Sequence, residues 1–269
     1  MASENNFGES LLSGISDANV RDALGYRENF RAFGALDAPM AEIEASEVPL
    51  SWRDAISQTA YDFIVRWETG GKAYYEQVIK SHPVWPGLSS GITIGCGFDL
   101  GYHTSAETRA QWGTRLPAGD LAQLLGAIGF KTTEPDRAQK VTRAKELVLS
   151  FKDIVVPWAV ALEQFENAKL PDLVHQLYNA LSNLDLLHAH CRGALLSLTF
   201  NRGPSFRASG ERYQEMRAIN DKMNAGTREA FEEIPSLLRQ MKRIWGEQSS
   251  LAQRREGEAE LFEQGLAAS

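Results

Sequence analysis

Apolar positions recur along most of this chain with a helical period and alternate in only one short stretch. Trp52, Ile56, Ala60, Phe63, Ile64 and Trp67 fall on one helical face. Ser51-Trp52-Arg53-Asp54 fits a capping box at the start, and Gly70-Gly71 supplies a stop. The pattern therefore predicts one helix of about four turns ending just after Glu68. A loop follows from Ser81 to Gly91, marked by Pro83, Pro86 and Gly87. Ile92, Ile94, Cys96 and Phe98 then alternate with Thr93, Gly95, Gly97 and Asp99, which is the period of a strand. From about residue 105 the pattern is helical again, broken at Pro117, Pro135, Pro157, Pro171 and Pro204. Arg192 to Phe200 is nearly all apolar and predicts a buried helix. The fold class is α+β: mainly helical, with one small β-rich lobe near residues 72–103. Residues 1–50 carry few large apolar side chains beyond Leu11, Leu12, Phe30 and Phe33, and predict short helices or partial disorder. The texture changes at Pro49, so the organisation expected is an N-terminal extension over 1–50 and a main domain over 51–269.

Composition narrows the classes. The chain has 269 residues, 43% of them hydrophobic, enough for a substantial core. No apolar stretch approaches the roughly 18 residues of a membrane-spanning helix, so no membrane span is expected. The opening MASENNFGES lacks the basic start and hydrophobic run of a secretory signal, which predicts synthesis in the cytoplasm. Cys96 and Cys191 are too few and too far apart to staple a fold of this size. The net charge of −7 is uneven: residues 1–50 hold nine acids against three basic residues, and the remainder is nearly balanced. A body without a basic excess argues against nucleic acid as a partner. The acidic extension reads equally as a solvated leader or as a segment for a partner or adaptor.

Candidate chemistry starts at Glu68. It closes its helix, where the dipole disfavours a negative charge, and it neighbours Trp67. Burial there would raise its pKa and suit it to general acid catalysis. Alone, a glutamate at a helix end is more often a solvated surface group. Thr93 and Asp99 would lie about 20 Å apart on a straight strand. A turn centred on Cys96, permitted by Gly95 and Gly97, would instead set them opposite one another. A hydroxyl and a carboxylate converging opposite a protonated glutamate can hold and activate a water for hydrolysis. Two polar residues on an exposed strand face is the plain alternative.

These residues resemble a known family. Glu68-Thr69-Gly70-Gly71, a loop, and Gly91-Ile92-Thr93-Ile94-Gly95-Cys96-Gly97-Phe98-Asp99-Leu100-Gly101 are similar to the active-site region of phage-type lysozymes, closest to the pesticin-like muramidase branch. Ala194 to Gly203 resembles the family's central helix and following turn, and Arg254-Arg255, Glu258 and Leu261-Phe262 resemble its C-terminal signature. The resemblance implies a lysozyme-like fold whose small lobe forms one side of a cleft. It implies Glu68 as general acid, Thr93 beside the attacking water, and Asp99 as the carboxylate that orients water or stabilises charge. In the phage enzymes the aspartate precedes the threonine, where this chain has no acid; Asp99 follows the order of the pesticin-like branch. Asn201 would face substrate, one of Arg254 and Arg255 would approach Glu68, and Tyr102 and His103 would line the cleft. The reaction implied is hydrolysis of the bond between N-acetylmuramic acid and N-acetylglucosamine in peptidoglycan, with inversion and without metal or organic cofactor. Cleavage in the periplasm after lysis or specialised secretion would suit an antibacterial effector with an immunity partner, or a prophage endolysin. A non-catalytic wall-binding or partner-binding protein on the same scaffold is the alternative from another class. Arg239, Lys242, Arg243, Arg254 and Arg255 against the single acid Glu247 over 236–255 suggest a positive cleft edge, or a solvated helix face.

Other signals fall away. Gly95-x-Gly97-x-x-x-Gly101 has the wrong spacing for a dinucleotide loop and no strand–helix series follows it. Cys96 shares the apolar face of its strand, unlike a catalytic thiolate. His188-Ala189-His190-Cys191 carries zinc-binding donors, but residues two apart on a helix do not face each other. Trp67, Trp85, Trp112, Trp158 and Trp245 can stack on sugars, though core packing is the commoner use.

Overall fold

The fold is taken from a computed structural model, which describes residues 2–25, 49, 51–87, 90–133 and 136–269. Phe30, Phe33 and Pro135 lie outside the described residues. Among the described residues the chain is mostly helical, and its one sheet has two strands. This agrees with a mainly helical α+β class. No described helix is long and apolar enough to cross a membrane. The chain divides into two compact units: residues 1–19, 28–64 and 170–269 form the first, and 20–27 with 65–169 the second.

The division does not fall at residue 50. Helix α1 (Ala2–Ser13) belongs to the first unit and is followed by α2 (Asp17–Gly25). Leu11 and Ile15, four residues apart, are buried, and a methyl group at Gly257 would lie 3.5 Å from Leu11 Cδ1. The Asn19 amide bonds to Gln253. Residues 2–19 are thus an integral part of this unit.

The single helix expected from Ser51 to Glu68 is two helices, α3 (Trp52–Ala55) and α4 (Gln58–Thr69). Ile56 between them is extended, with φ −132° and ψ 161°. The Ser57 hydroxyl caps the second helix by accepting from Ala60 N at 3.1 Å, and it pairs with His190 Nδ1 at 2.6 Å. A serine cap with a distant partner competes successfully with continuation of the first helix. Ser51 accepts from Arg53 N, a simple cap rather than a reciprocal box.

Arg192 to Phe200 lies in the helix Ala189–Arg202, of which nearly every residue is buried. It packs with the C-terminal helix Ser250–Ala267. The approach is close: a methyl group at Gly265 would stand 2.5 Å from Cys191 Sγ, and one at Gly193 would stand 2.1 Å from Ala60 Cβ. Glycine costs helix propensity at these positions but allows the backbones to meet.

The same unit contains a buried carboxylate with a readable pH dependence. Glu215 is bonded by Arg243, Nη2 to Oε2 at 3.1 Å, and by Gln214 at 3.0 Å. Burial pushes the Glu215 carboxyl up, but these hydrogen bonds outweigh it and hold the group below its ordinary value of 4.5. A depressed carboxyl stabilises the fold above its unfolded value and loses that contribution as pH falls. Stability is therefore expected to decline below about pH 4.5. Arg243→Ala should destabilise at neutral pH, and its deficit against wild type should shrink as the pH drops through that range. Denaturant unfolding at stepped pH measures this; a deficit independent of pH would show that the pair does not control the titration.

In the second unit, α4 ends and a short helix, Gly71–Tyr74, passes into a π-helical turn over Tyr75–Ile79. The lobe expected to be β-rich is therefore helical over its first part. Strand β1 (Thr93–Ile94) pairs antiparallel with β2 (Phe98–Asp99), and Thr93 also bridges to Val84.

Candidate active site

Glu68 is the penultimate residue of α4 and is 3% exposed. The helix ends there for local reasons. Thr69 donates from Oγ1 to the Val65 carbonyl at 2.7 Å and accepts from Gly71 N at 3.0 Å. Gly70 takes φ 74°, and a methyl group on it would meet the Tyr74 ring at 2.5 Å. Only glycine satisfies both the left-handed turn and this ring contact. Arg66 additionally bonds the Gly70 carbonyl. Glu68 thus stands at the negative end of the helix dipole, next in sequence to the buried Trp67.

The hairpin pairs Thr93 with Asp99 and Ile94 with Phe98. Gly95 (φ 54°) and Gly97 (φ 81°) flank Cys96 in the turn. Leu100 N donates to the Ile92 carbonyl at 2.8 Å, so Thr93 and Asp99 form a non-hydrogen-bonded pair, the arrangement with the closer side chains. On its other edge Thr93 exchanges both main-chain bonds with Val84, at 2.8 and 3.0 Å. The threonine is held from both sides by backbone.

Glu68 and Thr93 line one cleft of about 390 Å³, open mouth included, together with Tyr75, His82, Gly95 and Gly97 among others. Asp99, Tyr102 and His103 are not on its wall. The Asp99 carboxylate accepts from Gly91 N at 3.1 and 3.0 Å and from Gly101 N at 2.8 Å. A side chain at either glycine would collide, since a methyl group would stand 2.6 Å from Asp99 Oδ1 at Gly91 and 3.0 Å at Gly101. The spacing of Gly91, Asp99 and Gly101 therefore encodes a carboxylate that staples the hairpin to its loops. Asp99→Ala would leave two N–H groups without this acceptor, and unfolding free energy is expected to fall by about 1–3 kcal/mol. An unchanged denaturation midpoint would refute the staple.

The supporting residues have well-defined partners of their own. His103 stacks on Phe98 with ring centroids 3.8 Å apart, and its Nδ1 bonds the Asp99 carbonyl at 2.7 Å. Lys131 lies over the Tyr102 ring at 4.4 Å. Both residues brace the hairpin region. Asn201, Arg254 and Arg255 belong to the first unit and are buried. Glu258 Oε1 accepts from Arg254 Nε at 3.3 Å, from Arg255 Nη2 at 2.7 Å and from the Ser197 hydroxyl at 2.6 Å. The two arginines belong to a buried ion network centred on Glu258.

The positive edge expected over 236–255 is also neutralised. Arg239 pairs with Glu256 and Glu263, Lys242 with Glu256 and Glu247, and Arg243 with Glu215 and Glu211. The partners from Glu256 to Glu263 lie just past the window, and Glu211 and Glu215 lie well before it.

Both cysteines are buried and free of disulfides. Cys191 donates to the Phe262 carbonyl at 3.2 Å, and burial pushes its thiol up to about 12. His188 Nδ1 accepts from His190 N, and His190 is engaged with Ser57. Among the described residues no group of three or more His, Cys, Asp or Glu side chains is placed to hold a metal ion. Trp67 and Trp112 are core residues. His82 was not singled out by sequence; it sits in an irregular loop with no periodic pattern to mark it. Comparison of the chain with protein-family models, with curated proteins and with solved structures finds no match.

Proposed function

We propose that the chain is a lysozyme-like muramidase that hydrolyses the bond between N-acetylmuramic acid and N-acetylglucosamine in peptidoglycan. The observation that carries this reading is the shared cleft: a buried carboxyl at a helix end and a backbone-clamped threonine line the same wall. Glu68 in its acid form donates a proton to the glycosidic oxygen as the bond to the anomeric carbon breaks. A water held at the Thr93 hydroxyl attacks that carbon. The proton that the water loses restores Glu68 through solvent, so the cycle balances. Asp99 stands one cross-strand step from Thr93 and fixes the hairpin that presents it. Its role here is to position Thr93.

The test is digestion of purified peptidoglycan, borohydride reduction and mass spectrometry. New reduced muramic acid ends are the expected result. Intact glycan with cut stem peptides would point to an amidase or peptidase, and sedimentation with uncut wall would point to a binding module.

A further inference from the structure

Among the polar side chains that line the cleft, His82 has a fixed orientation. His82 Nδ1 lies 2.8 Å from the Ile154 carbonyl oxygen. A carbonyl only accepts, so Nδ1 carries the hydrogen and, in the neutral ring, Nε2 is an acceptor. The carbonyl itself is anchored. Ile154 is buried, Val156 N donates to the Ser81 carbonyl at 2.8 Å, and the Tyr75 hydroxyl donates to the Val156 carbonyl at 2.9 Å. The chain reaches His82 through unusual backbone: the π-helical turn Tyr75–Ile79, then Lys80 and Ser81 at φ 57° and 58°. Two successive non-glycine residues in the left-handed region are costly, and such strain collects where a side chain must be aimed. π-helical turns likewise cluster at functional sites.

We propose that His82 is a substrate-binding residue of this cleft, its Nε2 accepting a hydrogen bond from an N–H or O–H of the bound amino sugar. This rests on the reading of the cleft as a glycan site. A sugar polymer rich in hydroxyl and acetamido donors needs acceptors on the wall. A neutral imidazole with Nδ1 already committed offers an acceptor and no competing donor.

Two substitutions separate this role from a structural one. His82→Asn places its amide nitrogen near the position of Nδ1, keeping the bond to Ile154 while losing the outer acceptor. His82→Gln reaches the position of Nε2 and can present its oxygen there, at the expense of the inner bond. Binding of amidase-released glycan strands is measured by calorimetry for wild type and both variants, with thermal unfolding alongside. His82→Asn is expected to bind about tenfold more weakly, as for one lost hydrogen bond, with His82→Gln closer to wild type. Equal binding by His82→Asn and wild type, or a greater loss in His82→Gln than in His82→Asn, would overturn the proposal. If wild type binds strands without cutting them and His82→Asn is weakened, the hydrolase reading fails while His82 stands. If wild type neither binds nor cuts, both fall.

Discussion

Glu68→Gln is expected to lower the rate of glycan cleavage by about 10²–10⁴-fold while binding of glycan strands persists. The substitution keeps the size and planarity of the side chain and removes only its ability to deliver a proton. Glu68 is 3% exposed at the end of α4, and no other carboxyl among the described residues lines the cleft to take over as proton donor. The loss should appear in kcat, because the proton transfer occurs in the transition state and not on binding. Thr93→Ala should give a smaller loss, and Thr93→Ser should recover part of it by restoring the hydroxyl. The measurement is release of reducing ends from purified peptidoglycan, with circular dichroism confirming that each variant is folded. Full turnover by Glu68→Gln would remove Glu68 from the mechanism and with it the proposed reaction.

The features legible in the sequence were those fixed by neighbours in the chain. The stop at Gly70-Gly71 depends on φ and on Tyr74, four residues away. The turn at Gly95-Cys96-Gly97 sets the Thr93–Asp99 pairing through glycines inside the same motif. The burial of Gly193–Phe200 follows from composition alone.

What was not legible depends on distant partners. The break at Ile56 is stabilised by Ser57, whose partner His190 lies 133 residues on, so the apolar period ran straight across it. Arg254 and Arg255 carry charges that suggest a surface for substrate; Glu258, a helix turn away, is a local partner, but the Ser197 that Arg254 also bonds is 57 residues earlier in the chain. The basic window over 236–255 looked unbalanced because its carboxylates come from before and after it. His82 is aimed by a carbonyl 72 residues distant. Asp99 is the intermediate case. Its pairing with Thr93 could be read, whereas the direction of its carboxylate required knowing that the Gly91 and Gly101 amides converge on it.

Glu258→Gln is expected to produce the largest loss of stability, about 3–5 kcal/mol, because it removes the carboxylate on which a buried ion network converges. Glu258 and Arg255 are each 0% exposed and Arg254 is 2% exposed. Oε1 of Glu258 receives Arg254, Arg255 and the Ser197 hydroxyl, while Arg254 also reaches the Ser197 carbonyl at 3.1 Å. The network thus ties the helix Ala189–Arg202 to the helix Ser250–Ala267. Arg202, also buried in this unit, has its guanidinium pulled down to about 10 by burial, and the Glu258 charge counters part of that effect. Neutralising Glu258 would leave several buried cations with less compensation than before, and a glutamine oxygen is a weaker acceptor for them. Replacing both members of a pair is a different experiment. Glu258→Met with Arg255→Met removes a charge of each sign, so the double variant should be less destabilised than Glu258→Met alone. Urea unfolding of the two single variants and the double variant gives the coupling directly. Additive losses would mean that the pair contributes no mutual stabilisation.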